Sequence, residues 1–155
     1  GLNFYFQYKG FDLTMFWQGI QGRDIISDLK KETDLWSGLN IGFLNKGRRV
    51  LDAWTPNNPD SDIPALTRSD LNNEKRVSTY YVEDGSFLKL RNIQLGYNVP
   101  EAVLQKVKMR KLRVYVSAQN LLTIKSRTFT GVDPENPNYG YPIPMNLTFG
   151  VNIGF

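Results

Sequence analysis

The chain has 155 residues, 41% hydrophobic and 22% charged, with a net charge of +4; that is one ordinary domain, long enough to bury a core. No run reaches the about eighteen consecutive apolar residues of a membrane-crossing helix, and +4 is too weak a balance to argue for nucleic acid without a clustered patch. There is no cysteine and no histidine, which excludes disulfides, thiolate chemistry, the serine triad and most zinc sites, and weighs against an enzyme.

Residues 2–8 alternate, with Leu2, Phe4, Phe6 and Tyr8 on one face. Lys9-Gly10 is a tight-turn signal. Residues 11–19 alternate again, with Phe11, Leu13, Met15 and Trp17 on the apolar face. A period of two marks β-strands, and the pair reads as a hairpin. Tyr8 and Phe11 flank the turn, where an aromatic girdle would sit at a membrane boundary.

From Ile20 to about Thr79 the alternation fails. Residues 28–36 suit a short helix, and residues 54–64, with three prolines, suit irregular structure. A loop of this length is foreign to a compact soluble domain but ordinary on the outer side of a membrane barrel.

Residues 86–99 form the next strand, with Ile93, Leu95, Tyr97 and Val99 outward. Leu88 and Leu90 fall on the opposite parity. Either a bulge near Arg91 shifts the register or these two leucines face protein. Pro100 ends the strand, and residues 100–108 suit one or two helical turns. Residues 111–124 follow, with Leu112, Val114, Val116, Ala118, Asn120, Leu122 and Ile124 on one face. Arg113, Tyr115, Ser117, Gln119 and Thr123 take the other. Residues 125–142 are a second loop.

The last strand, residues 143–155, sets Met145, Leu147, Phe149, Val151, Ile153 and Phe155 against Asn146, Thr148, Gly150, Asn152 and Gly154. The pattern expects an all-β, antiparallel segment of five strands, with long loops (residues 20–79 and 125–142) at one end and short turns at the other. Five strands cannot close around a lumen, and hydrocarbon does not tolerate open edges. The chain, which begins mid-pattern without a signal peptide, therefore reads as the C-terminal part of a larger transmembrane barrel. Met145, Leu147, Phe149, Val151 and Ile153 would then face lipid. The competing expectation is a self-contained soluble all-β carbohydrate-binding module, its apolar faces forming a sandwich core.

Longer motifs carry a resemblance. Tyr81-Val82-Glu83-Asp84-Gly85-Ser86-Phe87-Leu88-Lys89-Leu90-Arg91-Asn92-Ile93-Gln94-Leu95-Gly96-Tyr97 resembles the C-terminal signature of SusC/RagA-type TonB-linked outer-membrane proteins of the Bacteroidetes. Leu112-Arg113-Val114-Tyr115-Val116-Ser117-Ala118-Gln119-Asn120-Leu121-Leu122-Thr123 resembles that family's penultimate strand. Gly131-Val132-Asp133-Pro134-Glu135 with Tyr141-Pro142-Ile143-Pro144 resembles its last loop, and residues 148–155 its terminal strand. The resemblance implies a TonB-dependent importer of oligosaccharides or peptides, with a barrel of about 22 strands. It also implies a SusD-like lipoprotein lid and energy from the TonB complex. The plug domain and TonB box, near the family's N-terminus, are absent from this chain. No cofactor is implied.

Phe155 resembles the family's barrel-assembly signal; the plainer reading is a strand end. Trp36 and Trp54 could stack on sugar rings, or simply pack their loops, and Trp17 suits the girdle. Arg113, Tyr115, Gln119 and Asn152 are lumen-side candidates for substrate contact, or merely hydrated wall. The carboxylate pairs Asp60/Asp62 and Asp133/Glu135 supply too few oxygens for calcium and read as solvated loop charge. Lys106, Lys108, Arg110, Lys111 and Arg113 form a basic run without interleaved aromatics, which reads as a solvated turn near lipid head groups rather than a nucleic-acid patch. Lys89 and Arg91 could meet lipopolysaccharide phosphates. The loop of residues 20–79 is the candidate contact for a SusD-like partner.

Overall fold

The computed structural model describes residues 1–35, 45–67, 69, 73–137 and 140–155. β1 (Leu2–Tyr8) and β2 (Phe11–Ile20) pair antiparallel, with Tyr8 opposite Phe11. Between them Lys9 and Gly10 both take positive φ, 45° and 87°. That is the primed two-residue turn, whose twist matches that of the strands it joins.

The chain then leaves the sheet for β3 (Asp24–Ile26) and α1 (Asp28–Asp34). Ser27 caps α1, its Oγ accepting from Lys30 N at 3.2 Å. Short 3-10 turns at Arg48–Asp52 and Thr79–Tyr81 follow, and then β4 (Val82–Asp84), which pairs antiparallel with β3. β3 lies where the sequence led us to expect a loop (residues 20–79), and β4 just beyond it. The two strands are three residues long and nearly sixty residues apart, too short to express a period of two.

β5 (Phe87–Asn98) returns to the sheet. After Pro100 comes α2 (Glu101–Leu104), extended by a 3-10 turn over Gln105–Val107. β6 (Lys111–Lys125) and β7 (Asn146–Gly154) complete the sheet. β7 starts three residues after the expected strand start at residue 143, because Pro144 has no N–H to give a ladder; its carbonyl instead accepts from the Asn120 side chain at 3.3 Å. Met145 thus precedes the strand and is exposed.

The sheet runs β1-β2-β5-β6-β7 with every neighbour antiparallel, and it is open at β1 and β7. A bulge breaks the register. Phe16 stands opposite Asn92 but Trp17 opposite Leu90, so Arg91 is an extra residue in β5. On the other side Leu90 meets Leu122 and Asn92 meets Gln119, with Asn120 at φ 53° inside the irregularity. The bulge keeps Leu90 in one row with Trp17 and Leu122, and Leu88 in one row with Gly19 and Ile124. Leu88 is exposed and Leu90 buried.

Contacts divide the chain into two units. One is the five-stranded sheet with its short turns. The other comprises residues 22–85 and 126–142. Its core holds Ile25, Leu35, Ala53, Tyr81 and Phe129, beside the buried carboxylates of Glu32, Asp34, Glu83 and Asp133.

Candidate functional site

Register assigns each face of the sheet its residues. One face carries the rows Phe4–Met15–Ile93–Ala118–Leu147, Phe6–Leu13–Leu95–Val116–Phe149 and Tyr8–Phe11–Tyr97–Val114–Val151. Large side chains on it stay open: Phe6 is 55% exposed and Phe149 75%. Phe11 and Tyr97 pack against each other with centroids 4.6 Å apart and ring planes tilted by 41°. They border a depression of about 340 Å³ lined also by Leu95, Val114, Val116 and Phe149. A sandwich core would bury such rows against a second sheet, so the soluble-module expectation is not favoured.

The opposite face carries Asn3–Phe16–Asn92–Gln119–Asn146, Tyr5–Thr14–Gln94–Ser117–Thr148, Gln7–Asp12–Gly96–Tyr115–Gly150 and Asn98–Arg113–Asn152. It is polar, with small residues at two decisive places. Asp12 on β2 and Arg113 on β6 are separated by the whole width of β5. They meet because position 96 is glycine: a Cβ there would lie 2.7 Å from both Asp12 carboxylate oxygens. Arg113 donates from Nη2 to Asp12 Oδ2 at 2.5 Å and from Nε to Oδ1 at 3.2 Å, a two-pronged pair. Asn98 Nδ2 adds a third bond to Oδ1 at 3.0 Å. Asp12 is buried although the face around it is polar and open.

The second place is Gly150. Tyr115 lies across it so closely that a Cβ at 150 would collide with the phenol ring. The Arg113 guanidinium stands 5.3 Å from the centroid of the same ring. Asp12, Arg113 and Tyr115 therefore form one brace across β2, β5, β6 and β7.

Among the residues singled out from the sequence, Arg113, Tyr115 and Asn152 come together on the polar face, and Gln119 lies on the same face further along. Arg113 and Tyr115 are engaged in the brace, whereas Gln119 and Asn152 are exposed. Lys89 and Arg91 also belong to this face. Lys89 is buried, and Arg91 donates to Gln18 Oε1 at 2.8 Å and to Asn120 Oδ1 at 3.4 Å. The expected contact of these two with lipopolysaccharide phosphates does not follow from that placement. The residues that sequence reasoning missed are Asp12, Gly96 and Gly150. Their signal was available: glycine inside a strand marks a close approach, and Asp12 is the only acid within the first hairpin.

In the second unit Trp54 is 43% exposed. It borders a depression of about 310 Å³ with Val50, Leu51, Pro56, Ala65 and Leu66. Trp36 lies outside the described residues. Asp60 and Asp62 are exposed. Asp133 is buried and accepts from Glu135 N at 2.9 Å, bracing its own turn. Asp34, fully buried, was not singled out from the sequence. Arg49 Nη2 donates to both its oxygens at 2.7 Å, and Tyr80 Oη donates to Oδ2 at 2.7 Å. Burial, and then the bond to Asp34, push the Tyr80 phenol well above its ordinary pKa. Glu83 on β4 ties in the second loop, accepting from Thr130 N at 3.2 Å and Thr130 Oγ1 at 2.7 Å.

No protein-family model matches the chain. It is 34% identical over 171 residues to TonB-dependent receptor P3 of Formosa agariphila, with all of this chain covered. It is 32% identical over 163 residues to TonB-dependent receptor P26 of the same organism, with 96% covered. The fold matches the RagAB peptide transporter with a TM-score of 0.77 and 30% identity, over 96% of this chain and 16% of that one. The chain is a segment of a SusC/RagA-type TonB-dependent receptor. It spans 16% of the length of these curated relatives. The receptor segment matches the RagAB peptide importer almost equally in its "closed-closed" and "open-open" states, with TM-scores of 0.76 and 0.77.

Proposed function

We propose that this segment is part of the barrel wall of an outer-membrane importer, placed at the barrel's C-terminal end. The observation that carries it is a sheet with one continuous apolar face left open, one polar face, and two unpaired edges. The apolar face meets lipid, through Leu147, Phe149, Val151 and Ile153 on β7, and the polar face lines the lumen. β1 and β7 pair with further strands of the same barrel, since an edge cannot stand open in hydrocarbon. Phe155 serves as the assembly signal. The work of the protein is passage of cargo, oligosaccharide or peptide, rather than catalysis. A SusD-like lipoprotein closes the outer side over residues 20–79 and 125–142, and the TonB complex acts through a plug outside this chain.

Gln119 and Asn152, open on the polar face, are the cargo contacts from the wall, and Trp36 and Trp54 those from the loops. Arg113 and Tyr115 are positioning residues that hold the wall in shape.

The test is fractionation of native cells with detection through residues 143–155. A chain much longer than 17.8 kDa in the outer membrane, co-purifying with a lipoprotein, supports the proposal. A soluble species of 17.8 kDa contradicts it.

A further inference from the structure

At the end of the sheet that carries the short turns, the exposed charge is nearly all of one sign. Lys9 sits in the β1–β2 turn, and Lys106, Lys108 and Arg110 in the β5–β6 turn; all four are exposed. Glu101 is the one acid in these two turns. Among the described residues none of the four cations enters an ion pair. The longer turn is well built. Val103 N and Leu104 N donate to Pro100 O at 3.0 and 3.2 Å, Met109 N to Leu104 O at 3.1 Å, and Arg110 N to Gly154 O at 2.9 Å. Leu104 is buried beneath it and Val103 is half exposed.

The nearest row of the apolar face is the aromatic one, with Tyr8, Phe11 and Tyr97. The Lys9 ammonium stands 5.2 Å from the Tyr8 ring centroid. A cation poised over an outward ring is the arrangement by which lysine keeps its stem on apolar surface and its charge at the polar boundary.

We propose that these two turns form a cationic shelf that binds anionic phospholipid headgroups of the leaflet it faces. The inference rests on the apolar face meeting lipid. Four exposed cations in the two turns, one of them over the Tyr8 ring of the aromatic row, suit a negative membrane surface, where each basic residue adds attraction over a short range. An acidic protein partner would not need Lys9 held over an outward aromatic ring. The shelf fixes the depth at which the wall sits.

The test uses the whole receptor in mild detergent, with phosphatidylglycerol or phosphatidylcholine added and bound lipid counted by native mass spectrometry. The wild type retains phosphatidylglycerol in preference. The Lys106→Gln/Lys108→Gln/Arg110→Gln variant binds it about tenfold more weakly at low salt, with phosphatidylcholine unchanged. Arg48→Gln/Lys75→Gln/Arg127→Gln, which removes equal charge from the loops, keeps the preference. Lys106→Gln alone gives a smaller loss in the same direction and serves if the triple variant assembles poorly. Equal retention of both lipids by the wild type, undiminished phosphatidylglycerol on the turn variants, or its displacement by inorganic phosphate overturns the proposal. Absence of the receptor from the outer-membrane fraction, measured before any lipid is added, is instead a failure of the importer reading.

Discussion

Gly150 and Tyr115 make a matched pair: the ring occupies the space that any side chain at 150 would need. Gly150→Ala therefore forces the ring off its seat and costs about 1–3 kcal/mol, as overpacking does. The same substitution in a Tyr115→Ala background is nearly free of that penalty. Heat-induced unfolding of the assembled receptor, followed for both single variants and the double, measures the coupling. Additive losses would mean that Tyr115 and Gly150 do not share the space. The Asp12–Arg113 pair has the same logic across Gly96. Sequence pattern placed Arg113 and Tyr115 on the polar face but could not distinguish a free side chain from one held in a brace. That difference depends on which residues lie opposite across two strands, and register is a product of folding.

At the scale of elements, the hairpin of β1 and β2 is written in its alternation and its Lys9-Gly10 turn. The bulge was half visible, as a parity conflict between Leu90 and Ile93. The β3–β4 pair was not visible, because three residues carry no period, and the second unit is held by polar contacts that have no periodic signature. Asp34 is the centre of those contacts. Asp34→Ala strips the partner from the Tyr80 hydroxyl and the Arg49 guanidinium. We expect a loss of about 2–3 kcal/mol, below that of a fully buried pair because Arg49 is 38% exposed and regains water. Limited proteolysis should then cut within residues 22–85 while the sheet stays protected; an unchanged digestion pattern would contradict this. Tyr80 adds a pH dependence. A phenol held above its unfolded value of about 10 keeps its proton in the folded unit after the unfolded chain has lost its own. Its contribution is complete below about pH 10 and fades at higher pH. Hydrogen exchange in residues 22–85 should accelerate above that pH in the wild type, and Tyr80→Phe should remove this component of the rise.

For the molecule as a whole, the proposed function rests on the two faces of the sheet. Composition could not reveal this, since alternating polar residues dilute the hydropathy of every strand; only the summed register shows apolar rows running unbroken across β1, β2, β5, β6 and β7. The most direct test uses β7 in the intact receptor, a strand that carries no cysteine of its own. Asn146, Leu147, Thr148, Phe149, Val151 and Asn152 are replaced one at a time by cysteine and spin-labelled. Each label is then exposed, in a bilayer, to oxygen, which concentrates in lipid, and to a water-soluble relaxing agent. A lipid-facing apolar row requires oxygen access highest at 147, 149 and 151, with access to the aqueous agent highest at 146, 148 and 152. Uniform access along the strand, or water reaching 147, 149 and 151 as readily as their neighbours, would contradict it.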